Sequence, residues 1–183
     1  LTFSLILGLW PTAALAADDV AALTEKTVSV SNWADLKASV AALTDDEYLR
    51  ADITAPLTAD SEMDIDGKVV VLSATAGDIS ITRTLQSEAN STNPIFKLTN
   101  NASLSISGTE NGITLLDSTE RKKSRGLIEA DSGTTLNLSN VSFRDFKFGY
   151  TLAGSGYGAI YAVNATIVMQ NVAMSNCIGD NGV

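Results

Sequence analysis

Histidine is absent from this chain, cysteine occurs once and proline three times, and aromatics make up 6% of the residues. Without His and with one Cys the usual donor sets for a zinc or haem site are missing, and there is no Ser–His or Cys–His pair for nucleophilic catalysis. The lone thiol, Cys177, cannot close an internal bridge; it is either a small buried residue, the expectation adopted, or an intermolecular partner. Positive charge is scarce as well: 12 Lys and Arg stand against 21 Asp and Glu, a net charge of −9. A surface of that sign repels phosphate backbones and anionic lipid heads, so neither nucleic acid nor peripheral membrane binding is expected. The apolar share, 45%, is ordinary for a folded chain, and one domain with a continuous core is expected.

Leu1 to Leu9 (LTFSLILGL) form an uncharged apolar run, too short to span a bilayer, which leads through Pro11 to Ala14-Leu15-Ala16 and then Ala17-Asp18-Asp19. A small-x-small triplet before an acidic start fits a secretory cleavage site after Ala16. Residues 1–16 are therefore expected to be a signal peptide that the sequence enters part-way, and the location expected is extracellular or on the cell surface. Residues 17–46 would form an amino-terminal segment. Within it Asn32 is a candidate N-cap for Trp33, Leu36, Val40 and Leu43, whose spacing predicts a helix over 33–43.

What is abundant is repetition. Gly126 to Phe143 and Gly158 to Met174 align with one gap: Ile128 with Ile160, Ala130 with Ala162, Leu136 and Leu138 with Ile167 and Met169, Asn140 with Asn171, and Phe143 with Met174. A weaker copy lies 32 positions upstream, where Phe96, Leu104 and Ile106 precede Ile128, Leu136 and Leu138. Paired apolar positions in period 2, recurring every thirty or so residues, are the pattern of stacked β coils. Leu49, Ala51 and Ile53 predict a half-buried strand, Val69 to Leu72 a strand with neither face well exposed, and Ile79 with Ile81 another. Stacking such short strands in register, about 4.8 Å apart, pairs each backbone with the next and buries inward residues in vertical files. Leu104, Leu136 and Ile167 would form one file, and Ile106, Leu138 and Met169 a second. Asn140 and Asn171 would occupy tight corners that need a left-handed backbone, each bonding to its copy. The helix would plug the amino-terminal end, and coils over 47–183 are expected to continue past Val183.

These residues resemble the right-handed parallel β-helix of the pectate-lyase-like superfamily, and within it repeat proteins similar to the polymorphic outer-membrane proteins and related bacterial surface proteins. Those families repeat a Gly-Gly-Ala-Ile strand followed by Phe-x-x-Asn. Gly156-Tyr157-Gly158-Ala159-Ile160 looks like the first element and Met174-Ser175-Asn176-Cys177 like a degenerate second. Upstream, Phe143 is kept, but Phe146 stands where Asn belongs. The resemblance implies an all-β solenoid with a capping α-helix, and it admits two functions.

One is a polysaccharide lyase or hydrolase acting on an acidic polysaccharide, which needs clustered carboxylates with a Lys or Arg, or a catalytic Asp pair. Asp64 and Asp66 in Asp-Ile-Asp-Gly would share one strand face, although a turn entering Val69 is the plainer reading. The run Arg121 to Arg125 could meet an anionic sugar, or be solvated loop. The superfamily's Asn-x-Asp and Gly-His-Gly glycosidase signatures do not occur. The other function is a non-catalytic scaffold, an adhesin or passenger module that presents corners to an extracellular glycan or protein surface. It needs no catalytic residue, metal or cofactor, and it is the expectation adopted. Five Asn-x-Ser/Thr triplets, at Asn90, Asn101, Asn137, Asn140 and Asn164, would matter only in a eukaryotic secretory route.

Overall fold

A computed structural model of the chain describes residues 22–75, 77–84, 93–109, 112–118, 126–148 and 158–179. The expected signal segment, the Arg121–Arg125 run, Asn90, Gly156-Tyr157 and residues 180–183 lie outside the described residues.

Three stacks of parallel strands account for nearly all regular structure. The first runs β1 (Thr24–Val30), β2 (Glu47–Ile53), β5 (Val69–Ser73), β8 (Ser103–Ser107), then the front halves of β11 (Thr135–Arg144) and β14 (Thr166–Ser175). The second runs β3 (Leu57–Ala59), β6 (Ile79–Arg83), β9 (Ile113–Asp117), then the back halves of β11 and β14. The third runs β4 (Met63–Asp66), β7 (Phe96–Thr99), β10 (Ile128–Ala130) and β13 (Ile160–Ala162). Two short strands, β12 (Lys147–Phe148) and β15 (Ile178–Gly179), pair beside them. Because β11 pairs β8 before Asn140 and β9 after it, the long sheet turns a corner there and curls. The protein is all-β and parallel, with one short helix among the described residues.

The registers match the alignment of the repeats. Leu104, Leu136 and Ile167 are successive partners, as are Ile106, Leu138 and Met169, and Phe96, Ile128 and Ile160. The files extend further up the chain than the visible repeat, through Leu49 and Val70 to Leu104, and through Ala51 and Leu72 to Ile106. All of these except Ile160, Ile167 and Met169 are buried. Parallel pairing of like on like removes apolar surface from water on both sides of each rung, at about 25 cal/mol per Å².

Corners fall where the backbone can turn left-handed. Asn140 and Asn171 both have φ 53°, and Asn171 Nδ2 donates to Asn140 Oδ1 at 3.1 Å, as the repeat predicted. The next corner corrects the motif alignment. It is Asp145 (φ 59°) and Asn176 (φ 51°) that stack, with Asn176 Nδ2 on Asp145 Oδ1 at 2.5 Å. Phe146 and Cys177 follow the corner one residue later; Phe146 is fully buried, and Cys177 is half-buried against the core.

Helix α1 (Trp33–Ala41) is two residues shorter than its spacing suggested, ending where Ala42 N–H closes on Ala38 O. Asn32 caps it as expected: its Oδ1 accepts from Asp35 N–H at 2.9 Å. Its buried face, Trp33, Leu36 and Val40, packs on β1, β2 and β3, the first strands of two stacks. Trp33 reaches deepest, edge-on to Phe96 at 5.6 Å, with its Nε1 donating to Ser61 O at 2.8 Å. Strand β1 is an addition: Val28 and Val30 set its period, and it pairs with β2 throughout.

Candidate functional site

The outward face of the third stack gathers most of the chemistry-bearing side chains. Met63 and Ile65 of β4 point into the core, so alternation turns Asp64 and Asp66 outward, both exposed. They are on a strand, as their carboxylate reading required, and the turn comes after them at Gly67 (φ 61°). Their surroundings separate them. Asp66 accepts from Thr99 Oγ1 at 2.9 Å and from Asn100 Nδ2 at 2.5 Å, which commits it to holding the corner of the next rung.

Asp64 belongs to a row. Its register partner is Lys97, whose next partner is Glu129, whose next is Tyr161. Lys97 and Tyr161 are half-buried, and Glu129 is only 8% exposed. Glu62, just before β4, leans into the same row. Burial pushes its carboxyl above the ordinary 4.5, and the Asp64 charge adds to the rise. A hydrogen bond to Asp64 and the Glu129 charge act in the same direction, while Lys97 opposes them. The face therefore sets the side chains of Glu62, Asp64, Lys97, Glu129 and Tyr161 side by side. Such a set can hydrogen-bond the hydroxyls of a polar ligand and offset charge of either sign. Among the described residues no three His, Cys, Asp or Glu side chains are disposed to hold a metal ion.

A second polar group lies in the core and was not foreseen. Arg83 and Asp117, both fully buried, meet bidentately, Nε to Oδ1 at 3.2 Å and Nη2 to Oδ2 at 2.5 Å. Arg83 Nη1 also donates to Asn93 O at 3.2 Å and Gly126 O at 3.4 Å, and the guanidinium sits 5.3 Å from the Phe146 ring centre. The pair is buried within the second stack, and because Asn93 and Gly126 lie just before β7 and β10, Arg83 ties the second stack to the third. Its signal was in the pattern: Arg83 continues the inward parity of Ile79 and Ile81, and Asp117 that of Ile113 and Leu115.

The Asn-x-Ser/Thr sites also sort themselves. Asn137 is 3% exposed and donates to Ser105 Oγ at 3.2 Å, and Asn140 is engaged in its ladder. Asn101 and Asn164 are exposed at left-handed corners.

Fold and face together define a class, an all-β chain of stacked parallel strands with a charged row along one side. Comparison with protein-family models finds no match, and no curated protein or solved structure is significantly similar to the chain.

Proposed function

We propose that the chain is a right-handed parallel β-helix exported to the cell surface, where it acts as a non-catalytic adhesin or passenger module. The observation that supports this reading is the rung-by-rung register of three parallel stacks, with left-handed Asn and Asp residues at the corners. A parallel strand rejoining its own sheet by a crossover is right-handed in about 98% of cases, which supports a right-handed coil. Corners that lengthen without disturbing a stack are suited to carry recognition. The apolar run and Ala-x-Ala triplet over 1–16 support export. The partner proposed is an extracellular glycan or protein surface, met by the Glu62, Asp64, Lys97, Glu129 and Tyr161 face.

A second reading keeps the same fold and makes this the amino-terminal part of a lyase or hydrolase acting on acidic polysaccharide. It is supported by the grouping of Glu62 and Asp64 beside Lys97, with burial raising the Glu62 carboxyl above its ordinary value. Incubating the full-length protein with polyuronates and calcium, alongside a glycan and cell-binding screen, separates the two. Saturable binding with intact polymer supports the scaffold, and unsaturated or shortened products support the enzyme.

A further inference from the structure

Along the outward side of the first stack the charges stop after β2. Tyr48, Arg50 and Asp52 face outward there, but from β5 to β14 the outward positions hold only Ser, Thr, Asn, Gln and Val. In a chain of net charge −9 this leaves an uncharged face four rungs tall. Its centre is buried. Val71, Ser103, Ser105, Asn137 and Ser139 are 1–9% exposed, although alternation turns all five away from the core file of Leu104 and Leu136. Around them Ser73, Ser107 and Thr135 are half-buried, and Val168 is exposed. Among the described residues two side-chain polar atoms are buried without a hydrogen-bond partner, and both lie on this face. They are Ser103 Oγ on β8 and Asn137 Oδ1 on β11, one rung on and one outward position along. The Asn137 amide spends its Nδ2 on Ser105 Oγ at 3.2 Å, which leaves the carbonyl oxygen as an open acceptor.

We propose that this face binds an uncharged saccharide. A buried acceptor and a buried hydroxyl without partners are costly until a ligand supplies them, and a sugar hydroxyl both donates and accepts. It can donate to Asn137 Oδ1 and bond Ser103 Oγ in either sense. Hydroxyls recurring about every 4.8 Å up the stack offer further partners. Val71 and Val168, which flank Ser105 and Asn137 in one column, can pack against the C–H face of a ring. An acidic or amino sugar is disfavoured, because its charge would be desolvated with no opposite charge on the face. Both orphan atoms are occluded, so binding turns the Asn137 amide outward and exchanges its Ser105 bond for bonds to the ligand. The row of Glu62, Asp64 and Lys97 lies on a different stack, and neither that row nor export is needed for this binding.

The probes are cellohexaose, maltohexaose and N-acetylchitohexaose, with hexagalacturonate as the charged counterpart, each titrated into the full chain by isothermal titration calorimetry. At least one neutral probe should bind saturably and more tightly than hexagalacturonate. Asn137→Ala should weaken that binding about fivefold, the worth of one hydrogen bond to a neutral ligand. Val168→Glu changes an exposed side chain and should abolish it by setting a carboxylate under the ring. Thermal melts should show both variants folded. Absence of saturable binding by all three neutral probes would overturn the proposal, as would equal binding of hexagalacturonate or unchanged binding in both variants. Loss in Lys97→Ala, with the Asn137 and Val168 variants binding like the parent, would assign the sugar to the charged row; that result overturns this site and leaves the surface-scaffold reading standing.

Discussion

Asn171 hangs from Asn140: its side-chain amide donates to the Asn140 Oδ1 at 3.1 Å, and both residues hold a left-handed backbone at φ 53°. The same corner is thus built twice, one rung apart, and each copy stabilises the other. An Asn at such a position relieves backbone strain and supplies a bond between rungs.

Asn140→Ala should remove both contributions, costing about 2 kcal/mol, whereas Asn140→Gly should cost about 1 kcal/mol because only the ladder bonds are lost. Urea melts of the two variants check the order. Equal loss in both would mean that backbone strain plays no part.

Leu138, 2% exposed between Ile106 and Met169, tests the files. Leu138→Ala should cost about 3 kcal/mol by loss of transfer energy and the cavity left behind. Leu138→Asp should unfold the domain, since an unpaired charge in that file has no compensation. Native-like melting of Leu138→Asp would contradict the packing described.

The Arg83–Asp117 pair should behave as buried pairs do. Removing one partner, by Arg83→Met or Asp117→Leu, leaves the other charge unpaired and should cost about 3–5 kcal/mol. Both changes together should recover much of that loss. A double-mutant cycle with additive effects would show that the two side chains do not interact.

Glu62 gives a dependence on pH. Its carboxyl is raised above the ordinary 4.5, so the native state binds the proton more tightly than the unfolded chain. Its contribution is present in full below pH 4.5 and is lost as the pH rises through the raised value. Glu62→Gln should therefore be more stable than the parent at neutral pH, with the gap closing on acidification. A gap that widens on acidification would reverse the assigned direction.

Much of this architecture was legible because stacking like on like writes the register directly into the sequence. Ile128 over Ile160, Leu136 over Ile167 and Asn140 under Asn171 could be paired by alignment alone. Strand β3, three residues long, is too short to show a period, and the charges of Glu25 and Lys26 masked the alternation of β1. The Arg83–Asp117 pair was hidden for a different reason. A charge at the end of an apolar alternation reads as the start of a loop unless its opposite lies one rung away. The charged face is half visible: Asp64 stands out in Asp-Ile-Asp-Gly, but Lys97 and Glu129 acquire meaning only when offsets of 33 and 32 residues are applied to outward positions too.

Every stack depends on the same register, and the outward row tests it without touching the core. In a Cys177→Ser background, cysteines at Lys97 and Glu129 should lie on adjacent strands directly opposite each other, about 4.8 Å apart at Cα. A short bifunctional thiol reagent should join them within the folded monomer far faster than it joins cysteines at Lys97 and Asp131, two residues out of register. Equal rates, or faster joining of the offset pair, would contradict the stack.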